Sequence, residues 1–74
     1  MISTAPRRAD LRVVRIIKCL RMLQGACYSV DDLAARLSVS RRTVYRDLRL
    51  LGAAGVPVVR RMADRGLHVP SAPL

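Results

Sequence analysis

Two segments with helical periodicity, each preceded by a serine, are separated only by Ser38, Val39 and Ser40. That spacing constrains the chain more than any other feature, because a linker this short forces consecutive helices to pack on each other. The earlier segment opens at Ser29, with Asp32 three residues on. A hydroxyl and a carboxylate thus stand where the free N–H groups of a first turn need acceptors. Asp31 and Asp32 also suit the positive end of a helix dipole. Val30, Leu33, Ala34 and Leu37 supply the buried side, and the helix ends near Leu37. The later segment takes Ser40 as its N-cap and runs from 41 to about 52, where Gly52 and the following 53–55 fray or end it. Pro57 forbids continuation.

Ahead of this pair, residues 8–24 also read as a helix, stopped by Gly25. Counting about 100° per residue from Leu11, the side chains of Val13, Ile16, Ile17, Leu20 and Leu23 fall within about 120–240°. Arg12, Arg15, Lys18 and Arg21 take the opposite arc. Cys19 and Met22 fall outside this stripe, as Leu50 does on the third helix; all three are expected to cover a neighbouring hairpin or to meet a second copy. After Pro57, residues 58–60 and 67–69 are short β-prone runs around a loop rich in turn residues, which predicts a two-stranded hairpin. Residues 1–7 are read as a flexible arm, 8–69 as one domain and 70–74 as an irregular tail. The expected fold class is mainly α with a small β-hairpin.

Composition narrows the function. At 74 residues and 8.2 kDa there is room for one small core and no separate substrate domain. Hydrophobic residues make up 51 %, too many for a disordered tail, and aromatic residues only 3 %, so the core is aliphatic. Thirteen Arg and one Lys face five Asp and no Glu, for a net charge of +9. Such a field favours polyanions, nucleic acid before an anionic membrane surface. No apolar run approaches the roughly 18 residues of a membrane span, and no signal-peptide core follows the basic N-terminus. Cys19 and Cys27 lack metal-ligand spacing, which fits reduced thiols in a cytosolic protein. One His, no Glu and scattered Asp offer no acid–base pair, and no glycine-rich phosphate loop is present. No enzyme and no cofactor are expected.

The third helix concentrates the charge. Setting Val44 at zero and stepping about 100° per residue, Leu48 and Leu51 lie within about 40° of it. Arg42, Arg46 and Arg49 fall on the far side, flanked by Tyr45 on one edge and by Thr43 with Leu50 on the other. Residues 41–65 carry seven Arg and two Asp, a net +5, against +4 for residues 1–40. An arginine row opposite an apolar stripe is usually a solvated helix face. Behind a three-residue turn, and beside a basic hairpin, it is also what a recognition helix in a DNA major groove needs.

The segment SVDDLAARLSVSRRTVYRDLRLLGAAGVPV, residues 29–58, resembles the DeoR-type winged helix-turn-helix of bacterial transcription regulators, and VSRRTVYRDL is its most specific part. The resemblance extends more loosely over 8–69 and implies a three-helix winged helix-turn-helix. It further implies binding of double-stranded DNA as a sequence-specific regulator in the bacterial cytoplasm, associated with the nucleoid. By position, the resemblance makes Ser40, Arg41, Arg42, Thr43, Tyr45, Arg46 and Arg49 the contacting residues, and 58–69 the wing. Regulators of this type commonly continue into a C-terminal sensor, such as a WYL or sugar-phosphate-binding domain. No sensing site carries over to these 74 residues, and no small-molecule ligand is expected of them. Gly52 departs from the helix-favouring Glu usual at its position, and Leu67 from the aromatic residue often found after the wing glycine.

Residue by residue, Arg46 is the candidate for a forked contact to guanine N7 and O6, with a phosphate contact as the alternative. Arg42 and Arg49 suit phosphates that set register. Thr43 suits a thymine methyl, a phosphate or no contact at all. Tyr45 either gives its hydroxyl to a phosphate or packs on the hairpin. Arg60, Arg61 and Arg65 are backbone or minor-groove contacts of a docked wing, or a solvated loop. Asp47 is read as structural and paired with an arginine that the sequence does not single out. The basic side of the first helix is read as a solvated face, and His68 as a strand residue without a chemical task. Two other classes compete with a regulator: a winged-helix protein-interaction module and a sequence-independent nucleic-acid binder. A homodimer through Leu50, Met22 and the first helix is a further expectation.

Overall fold

The computed structural model describes residues 7–63 and 65–70; residues 1–6 of the expected arm, Asp64 and residues 71–74 of the expected tail lie outside the described residues. Three helices, α1 (Arg8–Gly25), α2 (Val30–Leu37) and α3 (Arg41–Ala53), precede strands β1 (Val59–Arg60) and β2 (Leu67–His68). The strands pair antiparallel, with Val59 opposite His68 and Arg60 opposite Leu67. This is the expected mainly helical chain with a hairpin, each strand one residue shorter than its β-prone run.

The helix ends show how so small a chain satisfies its backbone. Ser29 Oγ accepts from the Asp32 N–H at 3.0 Å, capping α2 as its sequence predicts. At the other end of α2, Ser38 takes a left-handed φ of 56°, and the Val39 N–H returns to the Ala34 carbonyl at 3.0 Å. At the end of α3 the Val56 N–H donates to the Leu51 carbonyl and the Gly55 N–H to the Gly52 carbonyl, both at 3.0 Å. That pair of bonds is a Schellman closure, with Gly55 at φ 89° in the left-handed position such a closure requires. Val56 also packs against the core that contains Leu51. The helix ends at Ala53, inside the 52–55 stretch expected to end it, and Gly55 rather than Gly52 supplies the closure. Gly25 is the last residue of α1, and the chain leaves through an extended Ala26 whose N–H donates to the Met22 carbonyl.

One connection was not foreseen. Tyr28 bridges Leu67 through two backbone hydrogen bonds of 3.0 and 2.7 Å, so the link between α1 and α2 adds a third edge to the hairpin. Val69 then donates to the Leu23 carbonyl at 2.9 Å. The hairpin is thus fastened to the helices at both of its inner neighbours. Leu67 and Val69, two apart on one face of the strand, join Cys19, Leu23, Leu33, Ala34, Val44 and Leu51 in the core.

Asp47 is the one buried charged side chain among the described residues. Arg15 of α1 meets it with a fork: Nε donates to Oδ2 at 2.7 Å and an Nη to Oδ1 at 3.0 Å. The hydrogen bonds to Asp47 raise the Arg15 pKa above its ordinary value, against a smaller opposing effect of desolvation. Arg15 therefore belongs to the edge of the buried face, not to the solvated basic arc expected for it. The buried arc of α1 is turned by roughly 80° from the expected stripe. Cys19, assigned to a hairpin or dimer contact, lies fully inside the core, and Met22 packs half-buried against it. Val13 and Ile17, assigned to the core, are 54 % and 48 % exposed. Hydrophobic periodicity missed this because it counts every arginine as outward-facing and gives a thiol little weight.

Two predictions concern stability. Gly52 lies inside α3 with open space around it, whereas Gly55 holds a left-handed φ. Gly52→Ala is expected to stabilise by about 1 kcal/mol through helix propensity, and Gly55→Ala to destabilise by about 1 kcal/mol through backbone strain. Urea midpoints of the two variants moving in the same direction would contradict this reading of the helix end. The second prediction uses Cys19, whose pKa is raised, first by burial and then by the nearby Asp47 charge. The folded chain then holds that proton after the unfolded chain has lost it, so stability is unaffected by this group below about pH 9 and falls above it. Denaturation midpoints measured across that range should fall more steeply for the natural chain than for Cys19→Ala; identical slopes would count against it.

Candidate nucleic-acid interface

The face that α3 presents is set from within the helix. Ser40, in extended backbone at φ −77° and ψ 159°, caps it by accepting from the Thr43 N–H at 3.2 Å. The Ser40 and Thr43 hydroxyls also lie 3.1 Å apart in a hydrogen bond. Both residues are therefore engaged in holding the first turn, whatever else they touch. Val44, Asp47 and Leu51 are buried. Their spacing of three and four residues draws one line down the helix, and the opposite line is left to solvent.

Arg41, Arg42, Tyr45, Arg46 and Arg49 all stand on that outer side and line one open hollow of about 580 Å³. Among the described residues, no carboxylate lines it. The arginine row expected from periodicity is thus assembled, with Tyr45 at its edge rather than buried under the hairpin.

The wing residues divide. Arg60 and Arg65 line a second hollow of about 240 Å³ together with Arg41 and Tyr45, next to Ser29, Val30 and Asp31 at the start of α2. Arg41 and Tyr45 belong to both hollows, so hairpin and α3 share one basic face. Arg61 lines neither; its backbone N–H donates to the Gly66 carbonyl and closes the loop. Within the second hollow Arg41 Nε lies 3.1 Å from Asp31 Oδ1, with the two side chains 62 % and 74 % exposed. A pair so open to water contributes little stability, but it orients Arg41 between α2 and α3. Nothing in the sequence pattern singled out Asp31 for that task.

Asp47 completes the geometry from below. Its partner, left open by the sequence, is Arg15. The fork between them fixes the rotation of α3 against α1, and with it the direction of Arg46 and Asp47's other neighbours along the helix.

The model of a protein family described as HTH domain matches residues 12–63, from the first turns of α1 past the end of β1. This chain belongs to the HTH domain family. The family is one of DNA-binding domains, so DNA is the partner the match points to. Comparison with curated proteins finds no match, and comparison with solved structures finds none. In this HTH domain α2, the turn 38–40 and α3 form the motif, and α1 and the hairpin flank it. No helix among the described residues is long and apolar enough to cross a membrane.

Since the α3 cap depends on one hydroxyl, Ser40→Ala is expected to cost about 1 kcal/mol of stability. A thermal or urea unfolding curve that does not move would show that the Thr43 N–H finds another acceptor.

Proposed function

We propose that this HTH domain binds double-stranded DNA by sequence, as a transcription regulator of the DeoR type acting in the bacterial cytoplasm. In this reading α3 enters the major groove and residues 58–69 lie along the backbone as a wing. The observation that carries it is the outward row of Arg42, Arg46 and Arg49, backed by a buried line of Val44, Asp47 and Leu51. A solvated helix face needs neither an acid-free hollow nor a wing that brings two more arginines to the same side.

Roles follow from position. Arg46, midway along the exposed row, reads a base edge through its fork, while Arg42 and Arg49 hold phosphates on either side. Arg41 and Tyr45 span the two hollows and meet the backbone where α2 begins. Arg60 and Arg65 extend the same contact along the wing; Arg61 lies outside both hollows and is the weakest member of the set. Ser40 and Thr43 act mainly by holding the first turn in place. Leu50, exposed on the edge of α3, is the residue left for contact between two copies side by side on DNA.

Two other readings stay distinguishable. A sequence-independent binder would use the same charge without a preferred base, and a protein-interaction module would not need DNA at all. Protein interfaces usually exclude charge from their centre, which disfavours the latter for a face made of arginines. Selection of bound duplexes from a random library at physiological salt separates the three. Convergence on one motif is expected, and a palindromic motif would also show that two copies bind. Retention without convergence, with steep salt dependence, would replace the regulator by a charge-driven binder, and no retention would refute DNA binding. On the selected duplex, Arg46→Ala is expected to lose about 1–3 kcal/mol and to relax preference at one base pair. Equal weakening on every sequence would make Arg46 a phosphate contact.

A further inference from the structure

α1 carries an apolar surface that neither the core nor the arginine row uses. Leu11 and Val14 are 52 % and 45 % exposed, and Val13 and Ile17 continue the patch outward along the same helix. Across from Leu11 and Val14 stand Leu37 and Val39, at the end of α2 and in the turn that leads to α3. Together these four floor a groove of about 390 Å³, with Lys18 and Arg36 on its rim.

The charge around this groove is one-sided. Among the described residues no carboxylate lines it, and Asp47, which Arg15 reaches from the groove wall, is fully buried and occupied by that arginine. Among the described residues neither Lys18 nor Arg36 has an acidic partner. Arg36 lies over the Tyr28 ring, 5.3 Å from its centroid, which steadies the guanidinium while leaving its N–H edge for an acceptor. An aliphatic floor between two unpaired cations is complementary to an amphipathic segment with an apolar stripe and acidic flanks.

We propose that this groove is a docking site for an acidic amphipathic helix of a partner protein. DNA does not fit it, since a phosphate backbone gains nothing from four aliphatic side chains. A second copy fits it poorly: packing two such faces would bring Lys18, Arg21 and Arg36 against their own equivalents, with Asp10 the sole acid along that stretch of α1. The site shares no residue with either arginine-lined hollow. A bound helix therefore touches Val39, one residue ahead of the α3 cap Ser40, without covering the DNA face, so protein and DNA can be held together. The inference stands on its own surface and does not depend on sequence-specific DNA binding.

The test uses a display library of helical peptides with apolar residues randomised at i, i+3, i+4 and i+7 and Asp or Glu at the flanking positions. A second library carries Lys in place of the acids. Enrichment from the acidic library alone is expected. Titration of an enriched peptide into isotope-labelled chain should then shift the amides of Leu11, Val14, Lys18, Leu37 and Val39 in a saturable manner. Charge reversal at the exposed rim, Lys18→Glu with Arg36→Glu, should weaken binding at least tenfold, while an unchanged amide spectrum elsewhere verifies the fold. The proposal is overturned by absence of enrichment, by equal enrichment from the Lys library, or by an unaltered affinity of the rim variant. It is also overturned if the shifts fall on Arg42, Arg46 and Arg49, which would mean the peptide merely mimics a polyanion. Concentration-dependent shifts at Leu11 and Val14 in the chain alone would assign the groove to a second copy instead.

Discussion

The fork between Arg15 and Asp47 is the interaction on which the rest of the arrangement depends. An aspartate with no exposed surface, on a helix that otherwise carries four arginines, requires a cation held in place by the fold. Arg15 supplies it from a different helix, 32 positions earlier, through both carboxylate oxygens. Buried ion pairs add little net stability over an apolar pair of the same size, yet losing one partner costs about 3–5 kcal/mol, because the other is left charged and dry. The consequence here is geometric. With Asp47 turned toward α1, Arg42, Arg46 and Arg49 can only point away, and with Arg15 turned toward α3, Val13 and Ile17 of α1 are left exposed. One contact thus sets the direction of the basic face and the exposed side of α1.

Among the described residues, a core of eight small and medium side chains, none aromatic, stabilises only a little by itself. The backbone compensates by closing its own ends. Ser29 and Ser40 cap two helices, Gly55 and the left-handed Ser38 close two, and Tyr28 and Leu23 receive the hairpin that would otherwise be a marginal pair of two-residue strands. Two of these closures lie next to the basic face. The cap at Ser40 holds the start of the arginine row, and the Tyr28–Leu67 bridge brings Arg60 and Arg65 beside Arg41.

Much of this was legible in the sequence, for physical reasons that can be named. Serine caps announce helix starts because free N–H groups need acceptors, and α2 and α3 begin where Ser29 and Ser40 say. Periodicity located the arginine row because α3 has one apolar line and a single exposed side. What escaped detection depends on contacts between distant segments. The rotation of α1 follows from Arg15 seeking Asp47, and a count of apolar positions assigns every arginine to solvent. The bridge from Tyr28 to Leu67 is made by backbone atoms, on which side-chain pattern is silent. Pattern placed the end of α3 within a residue, but Gly52 and Gly55 are alike in composition, so only φ shows which of them closes the helix.

The most direct test of the account follows the arginine side chains themselves. Their Nε–H signals, recorded by NMR in labelled protein with and without saturating duplex DNA, report each guanidinium separately. Arg42, Arg46 and Arg49 are expected to shift on DNA binding, while the Arg15 signal stays where Asp47 holds it. Shifts confined to Arg12 and Arg21 of α1, or an Arg15 signal that moves to a solvent-exposed position, would contradict it, for then DNA would meet a different face or the fork would not set the one proposed.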